Sequence, residues 1–362
     1  MSRPARAVID LPALRHNYAL ARRLSGAGRI LPIIKANAYG HGAELVGQTL
    51  EPLAPALGVA CVEEAVALRE AGLRKPLLVL EGCFRAEELA LASRQDFWLM
   101  IHNEQQLAAL EKTCLPAPVN CWLKIDTGMH RLGFAPPQAA TVFNRLKEMT
   151  AVAEEIVLAT HFSSADQLDS DVTPRQIRCF QDAVAGLDAP HSLANSPALL
   201  AWPQSRAAWN RPGFMLYGNS PFPERHPEAS QLRAVMTFRS EIMALRELAA
   251  GESVGYANTW TASQTSRIAI VAGGYGDGYP RQVSSQAAVM INGRRAKLAG
   301  RVSMDMISVD VTHLGEVNIG DEVIFWGDEP SLNEVAGWAA TSGYEILTRM
   351  PGRVPRSPGA AA

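Results

Sequence analysis

Several apolar, strand-like segments of the sequence end in residues that can do chemistry, and the first of them ends in a lysine. Residues 29–36 are nearly all apolar, so Lys35 closes this run, and Tyr39, Gly40 and Gly42 follow it. An amine at the end of a buried strand is partly shielded from water. This lowers its pKa, and the neutral amine is nucleophilic. The plain alternative is a lysine with a buried stem and a solvated ammonium group. The glycines favour the first interpretation, because they suit a loop that approaches a ligand closely.

Four later segments end in polar groups of the same kind. They are Lys124 with Arg131, Thr160-His161, Asn195-Ser196, and Arg211 with Gly213 and Phe214. Each has an ordinary alternative: Asn195 and Ser196 can cap a helix, His161 can be a satisfied core histidine, and Arg211 can pair with a surface carboxylate. Together at strand ends, a lysine, a tyrosine, a serine, glycine amides and two arginines indicate a Schiff base beside a phosphate.

Residues of this kind need a scaffold that brings strand ends to one rim. Seven apolar runs alternate with amphipathic helical segments, at 29–36, 56–60, 76–82, 97–101, 119–125, 155–160 and 191–195. Uniformly apolar strands that each precede a helix are typical of a buried parallel sheet. An eighth run near 207–213 would close a (β/α)8 barrel, whose sites lie at the carboxyl rim, although an open doubly wound sheet uses the same alternation.

Beyond residue 230 the pattern changes to strands separated by turn residues. Strand-like runs occupy 233–248, 266–274, 287–300, 306–312 and 321–327, with turns predicted at 292–293 and 318–321 and one helix near 332–343. Residues 5–10 form an isolated strand, in which Asp10 caps a helix that begins at Leu11. The fold class is therefore α/β. We expect one domain over 11–230 and a mostly β domain over 231–362, with the strand in 1–10 able to join either.

Composition excludes several classes of protein. The 362 residues carry 34 Lys and Arg against 36 Asp and Glu, so a small-molecule partner is expected and nucleic acid is not. Five cysteines without a CxxC pair argue against a disulfide scaffold and favour a reducing cytoplasm. Asp10 stands where a signal peptide needs apolar residues, and no run approaches the roughly 18 apolar residues of a membrane span. Only 357–362 have a composition typical of disorder.

Two further patterns carry less chemistry. The glycine-rich segment 273–278 lacks both the GxGxxG spacing and a following helix, so it predicts a tight turn rather than a dinucleotide loop. No His, Cys or carboxylate set has metal-ligand spacing, so no metal is expected.

Taken in order along the chain, these segments resemble the alanine racemases. Residues 33–42, Ile-Ile-Lys-Ala-Asn-Ala-Tyr-Gly-His-Gly, are similar to that family's pyridoxal-phosphate attachment motif. The likeness continues over nearly the whole chain, through 124–133, 160–162, 195–197, 211–213, 254–256, 274–279 and 303–305. The resemblance implies a (β/α)8 barrel, a mostly β domain that includes the first strand, and a homodimer. It also implies cytoplasmic interconversion of L- and D-alanine for peptidoglycan precursors.

The resemblance assigns a role to each matching residue. Lys35 would form the aldimine with pyridoxal 5'-phosphate and serve as one base, and Tyr256 of the partner subunit would be the second. The other cofactor contacts would be Tyr39, Ser196, Gly213 and Phe214 at the phosphate, with Asn195 nearby, and Arg211 and His161 at the ring. Arg131 and the Met304 backbone would take the substrate carboxylate, with a carbamylated Lys124 orienting Arg131. Many members have a phosphate-binding tyrosine before the final Arg-Val-Pro-Arg; here it is Gly352, so that contact is expected to be missing.

Three other functions share parts of the pattern. A non-catalytic pyridoxal-phosphate carrier would resemble only the first ~230 residues and lack the domain with Tyr256 and Met304. A barrel-fold amino-acid decarboxylase shares the cofactor lysine, but the segment 253–260 favours a racemase. A broad-specificity amino-acid racemase is the closest alternative, and such enzymes usually carry a secretory leader.

Overall fold

The short apolar runs of the first half form one closed parallel sheet in this computed structural model, which describes residues 3–359. Its strands are β2 (Arg29–Ile30), β3 (Leu57–Val59), β4 (Leu77–Val79), β5 (Phe97–Ile101), β6 (Val119–Lys124), β7 (Val152–Ala159), β8 (His191–Ser192) and β9 (Trp209–Asn210). Neighbours in this order pair in parallel, and β9 pairs with β2. A bridge from Ile33 to Gly58 joins β2 to β3, so the predicted (β/α)8 barrel is confirmed.

Helices surround this barrel. They are α1 (Leu11–Ser25), α2 (Lys35–Tyr39), α3 (Ala43–Leu50), α4 (Val62–Glu70), α5 (Glu87–Gln95), α6 (Glu104–Lys112), α7 (Ala139–Glu148), α8 (Val172–Ala183) and α9 (Ser196–Ala201). The predicted cap on α1 is confirmed, because the Asp10 carboxylate accepts a hydrogen bond from the Ala13 N–H at 2.8 Å.

Three tryptophans form a cluster away from the carboxyl rim of the barrel. Trp98, Trp122 and Trp209 pack together with ring centroids 5.5–6.5 Å apart. Arg29, at the start of β2, lies over Trp209 at 4.2 Å, which places this cluster toward the amino-terminal ends of the strands. The tryptophan cluster thus lies toward the end of the barrel opposite to the rim that carries Lys35 and Arg211.

The second half forms a mostly antiparallel domain. Its strands are β1 (Arg6–Ile9), β10 (Met236–Leu248), β11 (Ser253–Val254), β12 (Trp260–Thr261), β13 (Ser266–Ala272), β14 (Ala288–Ile291), β15 (Arg294–Lys297), β16 (Met306–Asp310), β17 (Glu322–Trp326) and β18 (Arg356–Pro358), with helices α10 (Leu332–Trp338) and α11 (Gly343–Thr348). The first strand, β1, pairs with β10 and with β18 in this sheet. Asn292 and Gly293 turn between β14 and β15 with φ of 50° and 71°, as the hairpin signal predicts.

Two expectations about this domain are wrong. One helix was expected near 332–343, but Ser331 and Ser342 each cap a short helix with a side-chain oxygen, so there are two. Ser357 and Pro358 lie in β18, because β1 offers them a parallel strand to pair with, and the prediction of disorder fails there. Residues 360–362 of that prediction lie outside the described residues. Across residues 3–359, no helix combines the length and apolarity that crossing a membrane requires.

Candidate active site

Lys35 begins a turn, α2, whose backbone is left-handed. Residues 36–39 have φ values of 51°, 54°, 52° and 50°, and none of them is a glycine. This conformation costs each non-glycine residue roughly 1 kcal/mol or more, so contacts from outside the turn must hold it. The turn lifts Lys35 off the end of the first barrel strand and into the carboxyl rim.

Contacts at both ends of α2 hold it in place. Glu64 accepts a hydrogen bond from the Ala36 N–H at 2.7 Å, and the Asn37 side chain accepts one from the Ala43 N–H at 2.8 Å. At the far end, Arg356 donates to the Gly40 carbonyl at 2.9 Å. Gly40 has a φ of 79°, and a Cβ there would run into the carbonyl of α11 at Leu347. The C-terminal domain therefore packs directly on the lysine turn.

Five of the predicted site residues lie together at the rim: Lys35, Lys124, Arg131, His161 and Arg211. Burial lowers the pKa of Lys35, and the charge of Arg131 lowers it further. Burial, followed by the charges of Arg211, Arg131 and Lys35, lowers the pKa of Lys124 to about 8. Burial and the same cations hold the pKa of His161 well below its usual value. The rim is thus strongly electropositive and matched to anions such as a phosphate or a carboxylate.

Arg211 is fixed by backbone oxygens at the ends of two strands. Its guanidinium donates to the Ser192 carbonyl at 2.8 Å and also to the carbonyl of Thr160. The side chain is only 5% exposed, and burial lowers its pKa to about 10, so it keeps its charge at neutral pH.

Beside Arg211 lies a cluster of polar groups that could hold a phosphate, here called the cradle: Tyr39, Ser196 and the backbone at 213–215. The Ser196 hydroxyl oxygen accepts hydrogen bonds from the N–H groups of Gly213 at 2.9 Å and Met215 at 3.3 Å. A Cβ at Gly213 would lie 2.5 Å from the Tyr39 hydroxyl, so this approach requires a glycine. Burial raises the pKa of Tyr39 to about 12, which keeps its phenol protonated as a donor. Asn195 caps α9, accepting from the Ala198 N–H at 3.2 Å, so its side chain has the helix-capping role considered from the sequence.

A second phenol at this cradle was missed in the sequence. Tyr344, in α11, stacks on Phe214 with ring centroids 3.8 Å apart and lies 6.2 Å from the ring of Tyr39. Gly352 faces open space, since a Cβ there would meet nothing within 4 Å. Tyr344 therefore places a phenol near the residues predicted to hold the phosphate, and the loss of a contact at Gly352 stays a prediction. Locating Tyr344 depended on α11, which the sequence did not predict.

Two further residues fix the loops that carry Arg131 and His161. The Asp126 carboxylate accepts hydrogen bonds from three consecutive N–H groups, at 128–130, each at 3.0 Å. Gln176, buried in α8, donates to the Thr127 hydroxyl and to the His161 carbonyl, both at 3.3 Å. Gln176 thereby ties the loop after β6 to the loop after β7. A glutamine inside an amphipathic helix gave no signal of this role.

Tyr256 and Met304 lie on a different surface, in the C-terminal domain. Their side chains are 69% and 52% exposed in the single chain. The Met304 carbonyl accepts from the Gly276 N–H at 2.8 Å, and Arg353 binds the neighbouring Asp305 carboxylate at 2.7 Å. The structure therefore gathers the barrel residues into one site and leaves these two uncovered on the C-terminal domain.

Asp277 anchors the surface that carries Met304. It is fully buried and accepts hydrogen bonds from Arg3 at 2.6 and 2.9 Å and from Arg353 at 2.9 Å. The glycine-rich segment around it forms a tight turn, as predicted. Over residues 3–359, no three His, Cys, Asp or Glu side chains cluster in a way that could hold a metal ion.

Comparison with known protein families accounts for both halves of the chain. The family model "Alanine racemase, N-terminal domain" matches residues 9–221, and "Alanine racemase, C-terminal domain" matches residues 235–358. The chain belongs to the alanine racemase family. It is accordingly an isomerase, and the cofactor of its family is pyridoxal phosphate.

Individual alanine racemases match over almost their whole length. The chain is 49% identical to the catabolic alanine racemase of Pseudomonas putida over 354 residues, 98% of each protein. It is 48% identical to an alanine racemase of Chromohalobacter salexigens over 356 residues, again 98% of each. The solved structure of the biosynthetic alanine racemase from Pseudomonas aeruginosa matches with a TM-score of 0.94 and 43% identity, covering 99% of each chain.

Proposed function

We propose that this protein interconverts L- and D-alanine with two opposed bases, Lys35 and Tyr256 of the partner subunit. The observation that carries the proposal is the position of Lys35, whose amine lies in an electropositive rim near the cluster of Tyr39, Ser196 and Gly213. An amine, a phosphate site and cations for a carboxylate are the groups that an amino-acid racemase of this family needs.

The residues present fit pyridoxal phosphate. When bound, this cofactor supplies an electron-withdrawing ring that makes the α-proton of an amino acid acidic. Ser196, Tyr39 and Tyr344 would hold its phosphate by their hydroxyls, and Gly213 and Phe214 by their backbone. Arg211 would face the ring nitrogen beside His161. Because Arg211 keeps its own proton at neutral pH, it donates a hydrogen bond there without delivering a full proton.

The two bases divide the work between the two faces of the substrate. Racemisation removes the α-proton from one face and returns a proton to the other, which opposed bases achieve without turning the substrate. Lys35 suits this task because its lowered pKa leaves more neutral amine at neutral pH. A tyrosine has a reference pKa of ~10, so Tyr256 needs nearby cations to stabilise its phenolate, and the barrel rim supplies them.

Arg131 and the backbone of Met304 would bind the substrate carboxylate. Arg131 shares its loop with Asp126 and lies among other cations, so it needs a counter-charge. Lys124, with a pKa of about 8, has enough neutral amine to react with carbon dioxide. The resulting carbamate would turn one of the repelling cations into an anion that orients Arg131.

The assembly we propose is a homodimer with shared sites. Tyr256 and Met304 are exposed in the single chain, and covering them with the barrel rim of a second copy would complete both sites. We also propose domains of 11–230 and 231–362, the latter including strand 1–10, and the pairing of β1 with β10 supports this division. The five unpaired cysteines support a cytoplasmic location.

The physiological direction has two candidates. We propose supply of D-alanine for peptidoglycan, which the likeness to the biosynthetic enzyme of Pseudomonas aeruginosa supports. The second candidate is alanine catabolism, which the 49% identity to the catabolic enzyme of Pseudomonas putida favours.

One assay tests the activity. Purified protein is incubated separately with L-alanine, L-serine, L-lysine and L-arginine, and the D-enantiomers are measured by chiral chromatography. We expect D-alanine to form fastest. Equal rates on all four substrates would indicate a broad-specificity racemase. No D-enantiomer from a protein that holds pyridoxal phosphate would indicate a non-catalytic carrier.

A further inference from the structure

One carboxylate, Glu64, reaches two backbone segments at the barrel mouth. Glu64 lies in the first turn of α4, and its Oε1 accepts from the Ala36 N–H at 2.7 Å while its Oε2 accepts from the Ala60 N–H at 2.8 Å. The Ala36 N–H belongs to the peptide bond that follows Lys35, and Ala60 directly follows β3. The side chain therefore ties the Lys35 peptide to the end of a barrel strand.

The Lys35 peptide needs such an anchor because it opens the left-handed turn. The Asn37 and Arg356 contacts hold the middle and the far end of α2. Within residues 3–359, Glu64 is the side chain that accepts from the lysine end of the turn. Hydrogen bonds to a charged acceptor are about twice as strong as neutral ones, so this contact can offset much of the backbone cost.

Glu64 also places a negative charge near Lys35. Arg131 lowers the pKa of Lys35, and Glu81 and Glu64 raise it against the stronger effect of burial, while Lys124 and His161 also lie within reach of the charge of the amine. Glu64, like Glu81, thus favours the protonated form of the Lys35 amine in a rim rich in cations.

We propose that Glu64 is a positioning residue for Lys35. It holds the Lys35–Ala36 peptide so that the left-handed turn presents the amine to the cofactor cradle. The charge of this carboxylate, which is bound to the peptide next to Lys35, acts on the amine as well. The proposal rests on the proposed function only in taking Lys35 as the lysine that binds pyridoxal phosphate.

The first test compares Glu64→Gln with Glu63→Gln. Both variants remove one negative charge from the same helical turn, but Glu63 is exposed and makes its side-chain contact with Cys61. In Glu64→Gln, one N–H of the backbone must face an amide NH2 group, so one of the two hydrogen bonds is lost. We expect the dissociation constant of pyridoxal phosphate, from absorbance titration of apoenzyme, to rise about tenfold in Glu64→Gln. It should change less than about twofold in Glu63→Gln.

The second measurement separates charge from position. The rate at which apoenzyme captures the cofactor in a borohydride-reducible bond rises with pH as Lys35 loses its proton. In Glu64→Gln the midpoint of this profile should move to lower pH by about half a unit or more. Glu64→Asp keeps the charge but shortens the reach by one methylene, so it should weaken cofactor retention and leave the midpoint near that of the parent. If Glu64 supported the turn only through its hydrogen bonds, the midpoint would not move in any variant, and the effect of its charge would be refuted.

A rescue variant tests the strained turn itself. Glycine adopts a left-handed conformation at little cost, so Ala36→Gly in the Glu64→Gln background should recover at least half of the tenfold loss, on a logarithmic scale, without restoring the midpoint. The proposal is overturned if Glu64→Gln, folded by circular dichroism, matches Glu63→Gln in both retention and midpoint. It is also overturned if Glu64→Asp retains the cofactor as the parent does. A parent enzyme that captures no cofactor at Lys35 would instead refute the proposed function.

Discussion

The two parts of the proposed site differ in how far they are buried. One part lies at the carboxyl rim of the barrel, and the other lies on the outer face of the C-terminal domain, the surface that carries Tyr256 and Met304. At the rim, Arg211 is 5% exposed and already bonded to backbone oxygens of two strand ends. On the outer face, Tyr256 is 69% exposed, and no such contacts hold its ring within the described residues. Burial gives the rim shifted pKa values and a fixed geometry before any ligand arrives. On the outer face, Tyr256 would gain buried surroundings only when a second subunit covers it.

The comparison also separates two kinds of sensitivity to mutation. A change at the rim alters groups whose charges act on one another, so its effect spreads to neighbouring pKa values. A change on the outer face alters a side chain that the single chain leaves in solvent, so folding should tolerate it. The five experiments below test this contrast, beginning with the largest expected effect.

Loss of the Lys35 amine should be the most damaging change. Lys35→Ala should lower kcat by at least about 10⁴-fold, because a nucleophile and one base disappear together. Borohydride should no longer fix pyridoxal phosphate covalently to the protein, as shown by peptide mass spectrometry. Lys112→Ala, at an exposed position on α6, serves as the control and should behave as the parent. Near-normal racemisation by Lys35→Ala would remove Lys35 from the mechanism.

Loss of the Tyr256 hydroxyl should slow catalysis and spare the fold. Tyr256→Phe should lower kcat about 10²- to 10³-fold, with exchange of the α-proton from L-alanine slowed most and cofactor binding little changed. Thermal unfolding should match the parent because the ring is exposed.

Mixing inactive variants tests whether the outer face serves a second copy. After subunit exchange, a heterodimer of Lys35→Ala and Tyr256→Ala has one site with both lesions and one with neither. Up to half of the parental activity per heterodimer should therefore return. If mass spectrometry demonstrates exchange and activity stays at the level of the single variants, the shared-site proposal is wrong.

Lys124→Ala should act through Arg131 and have a smaller effect. We expect KM for alanine to rise about tenfold, since the arginine loses its orienting neighbour, with a smaller change in kcat. Removing carbon dioxide from the parent enzyme should raise KM in the same direction, and adding bicarbonate should restore it. At fixed dissolved carbon dioxide, recovery should be about ten times faster at pH 7 than at pH 6, because the pKa of Lys124 is about 8 and neutral amine reacts. An unmodified lysine beside Arg131 in electron density would refute the carbamate.

The smallest effect is expected at the cradle. Tyr344→Phe should raise the dissociation constant of pyridoxal phosphate about three- to tenfold, because one neutral hydrogen bond is lost while the stacking on Phe214 remains. Gly352→Ala is the matched control, since its Cβ meets nothing within 4 Å. A larger loss in Gly352→Ala than in Tyr344→Phe would show that the phosphate lies nearer the end of the chain.

How much the sequence could predict depended on the range of the interactions involved. Asn292-Gly293 encodes its hairpin locally, and the apolar runs encode barrel strands even where only two residues pair, as in β8 and β9. The left-handed turn at 36–39 has no local signal, because alanine and tyrosine avoid that conformation and distant residues such as Glu64 and Arg356 impose it. The place of Tyr344 in the site was unpredictable for the same reason, since only the packing of α11 on the barrel brings it to Phe214.

The two ends of the chain meet in one sheet, and this has a consequence for synthesis. β1 takes its parallel partner, β18, from residues translated long after the barrel, and Asp277 binds both Arg3 and Arg353. The barrel strands, from β2 to β9, are all translated before the sheet that must hold β1 can close. A nascent chain that has been translated only as far as β17 therefore lacks the parallel partner of β1, and its buried Asp277 carboxylate lacks one of its two arginines. A chain that stopped at Gly352 would lack both β18 and Arg353, so that sheet would stay incomplete however well the barrel had formed.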